Sequence, residues 1–346
     1  MDRKPTMNDV ARVAGVGTMT VSRVLNESAP VSAEAAARVY QAIEKLGYRP
    51  NEMARALRGL KTHTIGIIVP YLFDPFFATI AHAVNTLARE HEYSVILATS
   101  NDDPDSEFAE AQLMLQRRVD GLIVIPADVH RSRFSRGEFD QTHIVTLDRP
   151  MQDRRFDTVL VQNQSGSKRA VEHLISEHGH RRIVFIGLNR QLYTMRARLE
   201  GYRRAMIEAG LQSEPSFKCA TQESTSAIIA AAIRETDPPT AFFCSNNLTT
   251  RYALRALVDL SVRVPEDVAL IGFDDFELAE ILHPTLTVVR QPADEVGRVA
   301  ANLLFDRLKR DEFPKEGSRV VLPVELVLRR SCGCCPGVRH TNSTSA

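Results

Sequence analysis

The chain has 346 residues, with 43 basic and 43 acidic side chains and five cysteines. Its length exceeds one typical domain, and so few cysteines exclude a small disulfide-stapled scaffold and favour a reducing compartment. No apolar run is long enough to cross a membrane, and the N-terminus lacks the apolar stretch of a signal peptide. Residues 1–61 carry ten basic and six acidic side chains, an excess typical of a surface that contacts phosphates.

Residues 6–15 predict a short amphipathic helix followed by a glycine turn. Thr6 can cap this helix, and Asp9 completes a capping box at its positive end. The apolar residues predicted on its inner face are Val10, Val13 and Ala14. Gly15 permits the backbone conformation that ends the helix.

A second helix starts near Gly17 or Thr18 and is too polar on its outer face to belong only to a core. Its predicted inward residues are Val21, Val24 and Leu25. Its predicted outward residues are Thr18, Met19, Ser22 and Arg23. Two short helices at a tight turn are the arrangement that places side chains in the major groove of DNA.

A third helix is predicted over residues 33–46, between an N-cap at Ser32 and a stop at Gly47. It closes a small core through Val39, Ile43 and Leu46. Pro50 forces the preceding residue out of helical geometry, which marks a boundary. We therefore predict a DNA-binding domain at residues 1–50 and a linker helix at residues 51–62, too short to be stable alone in water.

These residues resemble the lactose-repressor (LacI/GalR) family. The resemblance rests on NDVA at residues 8–11, TVSRVLN at 20–26, VS at 31–32, and GYRPN at 47–51 followed by Ala54 and Leu57. It implies a homodimer whose two N-terminal domains bind adjacent half-sites of a near-palindromic, double-stranded DNA operator. A helical cap on an unrelated enzyme is the alternative.

Thr18, Met19 and Arg23 are predicted to approach base edges. Met19 has no hydrogen-bond donor, so it should make an apolar contact, for example with a thymine methyl group. Thr20 and Ser22 are predicted to contact phosphates. The resemblance places Ala54 and Leu57 in the minor groove, with the paired Leu57 side chains wedged into the central base step. The predicted DNA-contacting set is completed by Thr6, Asn26 and Asn51.

From about His63 onward, apolar strands alternate with amphipathic helices. The predicted strands are 65–69, 95–98, 121–125, 144–147 and 158–161, then 183–187, 241–244, 269–273 and 286–289. The predicted helices are 76–91, 105–118, 165–177, 195–209, 224–235, 248–259 and 293–308. Nearly continuous apolar strands are typical of parallel sheets covered on both faces, so two series predict two doubly wound α/β lobes.

The core resembles the periplasmic sugar-binding-protein fold that the family carries, and the resemblance covers about residues 4–329. It implies crossings between the lobes near residues 162, 291 and 323. The N-lobe would comprise residues 64–162 and 292–323, and the C-lobe residues 163–290. Together they form a predicted effector-binding and dimerisation core at 63–330, followed by a flexible tail at 331–346.

Ligands of such sheets bind beyond the carboxyl ends of the strands. Phe73 and Asp74 follow the first strand and are predicted to face the cleft, whereas Phe77 is predicted to face the core. Asp148 and Arg149 follow the fourth strand; they could contact an effector hydroxyl, or instead pair with residues at the lobe boundary.

Arg196 and Arg198 lie in the first turns of a predicted helix, where positive side chains are unfavourable next to the positive end of the helix dipole. Their presence there indicates a role other than stabilising the helix. A planar guanidinium fork can bind ring hydroxyls or a carboxylate. The resemblance implies effector contact by Arg198, whereas surface solvation fits Arg196 better.

The resemblance also implies effector contacts by Asn247 and Asp274, and Gln291 at the third crossing could reach the cleft. The family usually has Asp where Asn247 stands, and Asn donates as well as accepts, which makes the cleft less negative. Asn247 as a helix cap only is the alternative. Asp274 is expected to accept hydrogen bonds from the effector, and Asp275 to support the turn rather than to act in acid/base catalysis.

Residues 221–223, TQE, stand where many relatives place an aromatic ring. A polar wall there favours a sugar or sugar acid over a purine.

Cys332 and Cys334 are predicted to lie with Cys335 in an unstructured tail of reactive thiols. A metal site would need more ligands at distinct spacings, and His340 is the only further candidate ligand close in sequence. Cys219 and Cys244 lie in apolar contexts and are predicted to be buried packing residues. No metal ion or other cofactor is predicted.

No catalytic signature is present, since the chain lacks a Gly-x-Ser-x-Gly elbow, a phosphate-binding glycine loop and a His-Glu-x-x-His motif. We therefore predict a cytoplasmic, effector-responsive transcriptional repressor of carbohydrate-utilisation genes that is not an enzyme. A sugar-binding transport protein, an enzyme on an α/β scaffold and an activator are the alternatives. No heptad pattern follows residue 330, which favours a dimer over a coiled-coil tetramer.

Overall fold

A computed structural model of the chain describes residues 5–26, 29–48, 61–134, 137–311, 313 and 315–334. These residues form two compact units, one within residues 1–62 and one within residues 63–346. Each unit has a hydrophobic core of its own. Among the described residues, no helix combines the length and the apolar character that a bilayer span requires.

The N-terminal unit is built from helices α1 (Met7–Ala14), α2 (Thr18–Asn26) and α3 (Ala33–Leu46). Their predicted caps are confirmed. The backbone N–H of Thr6 donates to Asp9 Oδ2 at 2.9 Å, and Ser32 Oγ accepts from the N–H of Ala35 at 3.3 Å. Gly15 and Gly47 end α1 and α3 in the left-handed conformation, at φ of 65° and 59°.

Val10, Val21 and Val39 lie fully buried at the centre of this unit. The prediction that Val13 belongs to the same core is wrong, because its side chain is 43% exposed. Ala11 occupies the inner face instead, since the buried stripe of α1 is centred between Val10, Ala11 and Ala14 and leaves Val13 beyond its edge.

Within the described part of the larger unit, one sheet has six parallel strands: β1 (Thr64–Val69), β2 (Ser94–Thr99), β3 (Gly121–Val124), β4 (His143–Leu147), β5 (Asp157–Val161) and β11 (Arg319–Leu322). Their spatial order is β11-β5-β4-β3-β1-β2. The strand order reverses beside β1, which is the arrangement of a doubly wound fold.

The second sheet, counted over the described residues, also has six strands: β6 (Ile183–Ile186), β7 (Glu214–Ser216), β8 (Ala241–Cys244), β9 (Ala269–Phe273), β10 (Thr287–Arg290) and β12 (Glu325–Val327). Their order is β12-β10-β9-β8-β6-β7, and β12 alone among them pairs antiparallel. The chain therefore passes between the sheets after Val161, after Arg290 and after Leu322.

Helices connect the strands of both sheets. They are α4 (Pro75–Glu90), α5 (Pro104–Gln116), α6 (Asn163–Ser176), α7 (Tyr193–Glu208), α8 (Gln222–Ile233), α9 (Asn247–Asp259) and α10 (Ala293–Arg310). Most of them begin one or two residues before the predicted start, because capping residues such as Asp74 and Asp103 precede the first apolar position.

Strands β8 and β9 have the predicted bounds. The observed bounds of the other predicted strands differ from the predicted ones by one residue, at one end or at both. The strands β7, β11 and β12 were not predicted. Each is three or four residues long and forms an edge of its sheet, and none presents the continuous apolar run of a strand covered on both faces.

Helices α6 and α7 pack closely around Gly201. A Cβ atom added at this residue would lie 2.1 Å from the carbonyl oxygen of Gln164. The contact is with backbone, so it cannot be relieved by rotating a side chain.

We expect Gly201→Ala to lower the free energy of unfolding by about 1–3 kcal/mol, because separating the two helices outweighs the gain of about 1 kcal/mol in helix propensity. Urea denaturation of the full chain measures this change. Ile207→Ala is the control on the same helix, since Ile207 is 70% exposed, and should shift stability by less than about 0.5 kcal/mol. An unchanged midpoint for Gly201→Ala would contradict the close approach.

Candidate functional site

A cavity of about 500 Å³ lies between the two sheets, at the carboxyl ends of their strands. One side is formed by residues that follow β1, β2 and β4, and the other by residues that follow β6, β7, β8, β9 and β10. A larger groove of about 690 Å³ lies beside α9 but holds none of the predicted effector residues. The structure therefore places a ligand-sized space where parallel sheets usually bind ligands.

Seven of the eight predicted effector residues line this cavity: Phe73, Asp74, Asp148, Arg149, Arg198, Asp274 and Gln291. The eighth, Asn247, contacts two of them. Its Nδ2 donates to Asp74 Oδ1 at 2.8 Å, and its backbone N–H lies 3.4 Å from Asp274 Oδ2. All eight residues are therefore brought together, and the Asn247 amide also joins the two sides of the cavity.

The guanidinium of Arg198 lies in the floor of the cavity and is 3% exposed. Its Nε donates to Asn163 Oδ1, and an Nη donates to the carbonyl of Ser245, both at 2.7 Å. The same nitrogen lies 3.6 Å from Asp274 Oδ2, and the group sits 3.7 Å above the Phe273 ring. Burial lowers the pKa of Arg198, whereas the nearby carboxylates, led by Asp274, favour its charged form. Arg196 is exposed, as predicted.

Asp148 and Asp274 follow β4 and β9 in left-handed conformation, at φ of 60° and 74°. Aspartate tolerates this region better than most residues. Asp274 Oδ1 accepts a hydrogen bond from the amide of Gln291, and the backbone N–H of Asp274 donates to Val289 at 2.9 Å. The conformation thus turns both carboxyl groups into the cavity at the ends of their strands.

Three buried polar atoms of the cavity residues have no hydrogen-bond partner among the described residues: Asp148 Oδ1, Arg149 Nε and Gln291 Oε1. Arg149 does pair within its own sheet, because one Nη donates to Asp102 and to the carbonyl of Pro126. Burial raises the pKa of Asp148. A buried polar atom without a partner costs about 1–3 kcal/mol, so these atoms favour a ligand with matching groups.

Asp74 caps α4 by accepting from the N–H of Phe76 at 3.0 Å. Burial and, next, the Asp274 carboxylate raise the pKa of Asp74 to about 6, against the opposing hydrogen bonds from Phe76 and Asn247. An aspartate at position 247 could only accept hydrogen bonds and would face the Asp74 carboxylate. Asparagine at this position therefore donates a hydrogen bond to Asp74 that an aspartate could not supply.

Aromatic side chains cover one side of the cavity. Phe73 is 67% exposed and packs on Tyr71 with ring centroids 5.0 Å apart. The prediction that Phe77 faces the core is incomplete, because this ring is buried in the core and also lines the cavity.

The prediction of a polar wall at residues 221–223 is wrong. Ala220 lines the cavity there, and Thr221 caps α8 by accepting from the N–H of Ser224.

Several cavity residues were not predicted, among them Tyr71, Asn101, Asp102, Leu188, Asn189, Leu192, Thr194, Met195, Asn246 and Leu248. Asn101, Asp102 and Asn189 follow strands, so the rule that identified Asp148 could have found them. Asp275 lies outside the cavity lining and accepts from Arg290 and Arg329, which lower its pKa against the effect of burial.

The predicted DNA-facing residues of α2 are presented as expected. Met19 is 67% exposed, Thr18 and Arg23 are exposed, and Thr20 and Ser22 are half-buried. The Thr6 hydroxyl donates to Asp9 Oδ2 at 2.6 Å. The side chain of Asn26 and the residues Asn51, Ala54 and Leu57 lie outside the described residues.

The predicted tail needs correction at its start, because Ser331 and Cys332 are buried. Ser331 Oγ donates to the carbonyl of Leu270 at 2.6 Å, so the segment after β12 packs across the ends of β9 and β10. The prediction that Cys219 and Cys244 are buried is confirmed. Cys335 and the residues after it lie outside the described part of the chain.

The exposed face of α2 and the two-lobed cavity define a class, namely DNA-binding regulators that carry a ligand-binding core. Comparison with known proteins agrees with this class. The family described as bacterial regulatory proteins, lacI family, matches residues 6–51, and the periplasmic binding protein-like domain matches residues 171–332.

Similar proteins of known name include the HTH-type transcriptional repressor PurR of Aliivibrio salmonicida, 32% identical over 88% of this chain and 92% of the relative. The ribose operon repressor of Escherichia coli K12 is 33% identical over 88% and 93%. A lac repressor dimer bound to operator and the anti-inducer ONPF superposes with a TM-score of 0.83 at 25% identity, covering 95% and 99%. A CelR–cellobiose complex gives 0.68 at 31% identity, covering 94% and 99%.

The chain belongs to the LacI family of bacterial transcriptional regulators. Repressors of this family are DNA-binding transcriptional regulators that bind operator DNA as dimers and respond to small-molecule effectors. The predicted family, fold class and regulatory function are thereby confirmed.

We expect Asp74→Asn to stabilise the folded chain at pH 8. The raised pKa of Asp74 means that the folded state binds this proton more tightly than the unfolded state, so the wild type loses stability as pH rises from about 4 to 6. The stabilisation should be on the order of 2–3 kcal/mol at pH 8 and should shrink toward zero near pH 4.

Urea unfolding of both proteins at several pH values measures this difference. The control is Asp306→Asn on the exposed face of α10, which should show no such pH dependence. A gain for Asp74→Asn that is equal at every pH would contradict the assignment to Asp74.

Proposed function

We propose that the cavity between the lobes binds a neutral sugar or sugar derivative, which controls operator affinity at carbohydrate-utilisation genes. The observation that carries this proposal is a set of three buried atoms in the cavity wall that make no hydrogen bond within the described residues, although Arg149 Nε lies 3.6 Å from Asp148 Oδ2. Asp148 Oδ1 and Gln291 Oε1 accept, whereas Arg149 Nε donates. A sugar hydroxyl both donates and accepts, so adjacent ring hydroxyls match such a mixed wall.

The charges around the cavity favour a neutral ligand. Four carboxyl groups, those of Asp74, Asp102, Asp148 and Asp274, face two guanidinium groups. A sugar acid is the second candidate, because the raised pKa values of Asp74 and Asp148 reduce the negative charge and Arg149 retains a donor for a carboxylate.

The apolar groups of the cavity complement a sugar ring. Tyr71 and Phe73 can stack on the C–H face of a pyranose or furanose. Ala220, which follows β7 in the other lobe, offers no ring, so a flat heterocycle would be stacked mainly from the side of Tyr71 and Phe73. The relatives named PurR and the ribose operon repressor are about equally similar to this chain, and their names therefore do not choose between effectors.

We propose that the homodimer reads a near-palindromic operator through the predicted contacts of α2, with Thr18, Met19 and Arg23 at base edges and Thr20 and Ser22 at phosphates. Residues 1–50 would form the DNA-binding domain, 51–62 the linker helix and 63–330 the core. Effector binding would rotate one lobe against the other, separate the linker helices and weaken DNA binding.

We also propose that the protein performs no catalysis on its ligand. The adjacent carboxylates of Asp274 and Asp275 are not poised as an acid/base pair, because Gln291 donates to the first and two arginines hold the second outside the cavity. Action on operator DNA supports residence in the cytoplasm, where the chromosome lies.

Selection of genomic DNA fragments by the full-length protein, repeated with a panel of sugars and sugar acids, tests the function. The expected result is a near-palindromic site that is released by one neutral sugar, recovered chemically unchanged. Release only by a planar heterocycle would overturn the sugar assignment, and binding without sequence preference would overturn the operator model.

With that effector, Arg198→Lys should need at least about tenfold more ligand for half-maximal release from the operator. Lysine keeps the charge but loses the planar fork that spans Asn163 and Ser245. Fluorescence anisotropy on labelled operator measures this shift, and Arg196→Lys is the matched exposed control. A response at the wild-type concentration would exclude Arg198 as an effector contact.

Leu57→Ala should weaken specific operator binding by about tenfold or more, because the wedge in the central base step is lost. The slope of affinity against salt should stay unchanged, since no charge is removed. Effector binding by the core serves as the folding control. If operator affinity were unchanged, the wedge assignment would be wrong.

A further inference from the structure

Four side chains of metal-binding type converge at the C-terminal end of α6. His173 lies on this helix, His178 follows it, and Cys332 and Cys334 lie in the segment after β12. One nitrogen or sulfur from each residue lies within 4.8 Å of all the others. We propose that these four residues bind a Zn²⁺ ion that fastens the C-terminal segment to α6.

Three of the six distances between the four atoms are close to those of a tetrahedral centre, and the rest lie within 4.8 Å. His173 Nε2 lies 3.3 Å from Cys334 Sγ and 3.6 Å from Cys332 Sγ, and His178 Nε2 lies 3.3 Å from Cys334 Sγ. Zinc–nitrogen bonds of about 2.0–2.1 Å and zinc–sulfur bonds of about 2.3 Å at tetrahedral angles place neighbouring nitrogen and sulfur atoms about 3.5 Å apart. An ion therefore fits among these ligands with small side-chain adjustments.

The backbone explains how two closely spaced cysteines face one point. The His-x4-His spacing of His173 and His178 is common in zinc sites, whereas Cys-x-Cys is one residue shorter than the usual cysteine spacing. Gly333 between the cysteines has a φ of 99°, a conformation that L side chains rarely adopt. A Cβ added at Gly333 would also lie 3.1 Å from His178 Nδ1, so this turn and this ring are fitted to each other.

The surroundings of Cys332 support a role as a metal ligand. Cys332 is 1% exposed, and the Thr287 hydroxyl donates to its sulfur at 3.1 Å. Such a donor to a ligand atom is typical of the second layer of a metal site. Two sulfurs with two imidazoles select zinc over magnesium or calcium, and four protein ligands leave no position for a substrate. The site is therefore structural.

The proposed site departs from the prediction that this segment is an unstructured tail with no metal. The sequence shows only three closely spaced cysteines there, Cys332, Cys334 and Cys335. Both histidines come from about 155–160 residues earlier in the chain, so local spacing could not reveal the set.

Metal analysis of the full-length protein tests the proposal. The protein is purified without a histidine tag under reducing conditions, stripped with a chelator, reloaded with Zn²⁺ or Co²⁺ and freed of excess metal. We expect one tightly held zinc per chain, an intense visible absorption from tetrahedral thiolate-bound Co²⁺, and a melting temperature several degrees higher with zinc than without it.

Cys334→Ser and His178→Asn should lose both the bound zinc and the cobalt spectrum. One matched control is His180→Asn, since His180 lies in the same loop as His178 and its ring contacts Thr240. The other is Cys219→Ala, since Cys219 is a buried thiol distant in sequence from the four proposed ligands. Both controls should bind one metal ion as the wild type does. Comparison of melting temperatures in chelator separates loss of metal from loss of folding.

Only trace metal in the reloaded wild type, or an octahedral cobalt spectrum, would overturn the proposal. So would full metal binding by Cys334→Ser, or loss of binding in Cys335→Ser together with retention in Cys332→Ser. An intact mass lower by two hydrogens under reducing purification would instead show a disulfide and would also overturn it.

Discussion

The buried guanidinium of Arg198 constrains the whole floor of the cleft. A charge that is 3% exposed must be met by partners on every side, and here those partners come from α6, the end of β8 and the end of β9. Removing one partner of a buried charge typically costs about 3–5 kcal/mol. The C-terminal side of the cleft is thus held rigid, and α6, α7, β8 and β9 keep a fixed relation to one another.

Contact across the cleft is weaker by comparison. The hydrogen bond from Asn247 to Asp74 joins the two sides at 2.8 Å, and a hydrogen bond to an ionised carboxylate contributes about 1.5–3 kcal/mol net. An effector therefore needs only a modest difference in affinity between open and closed lobes to change their populations. A rigid binding site with weak contact between the two lobes suits a regulator. The free energy of effector binding can then shift the populations of open and closed lobes without rearranging the residues of the site.

Much of the fold was predictable because its signals are local. Capping boxes, glycine stops and continuous apolar strands are encoded within a few residues, and so are the polar groups that follow strands. Val13 was misplaced because a two-turn helix gives too few residues to fix its buried stripe. The edge strands β7, β11 and β12 were missed because they have no continuous apolar run. Thr221 was placed in the cavity wall although its side chain caps α8. The His–Cys cluster depends on residues brought together from opposite ends of the second lobe, which only the tertiary structure shows.

The topology also has a consequence for synthesis on the ribosome. The first sheet contains β11, and α10 packs on the same sheet, although residues 293–322 are made only after the entire second sheet up to β10. Until then the nascent first lobe exposes the apolar faces that Val296, Leu304 and Phe305 later cover. A chain stopped anywhere before residue 293 therefore lacks α10 and β11 of the first lobe as well as β12 of the second, so the last thirty or so residues of the core complete both lobes at once.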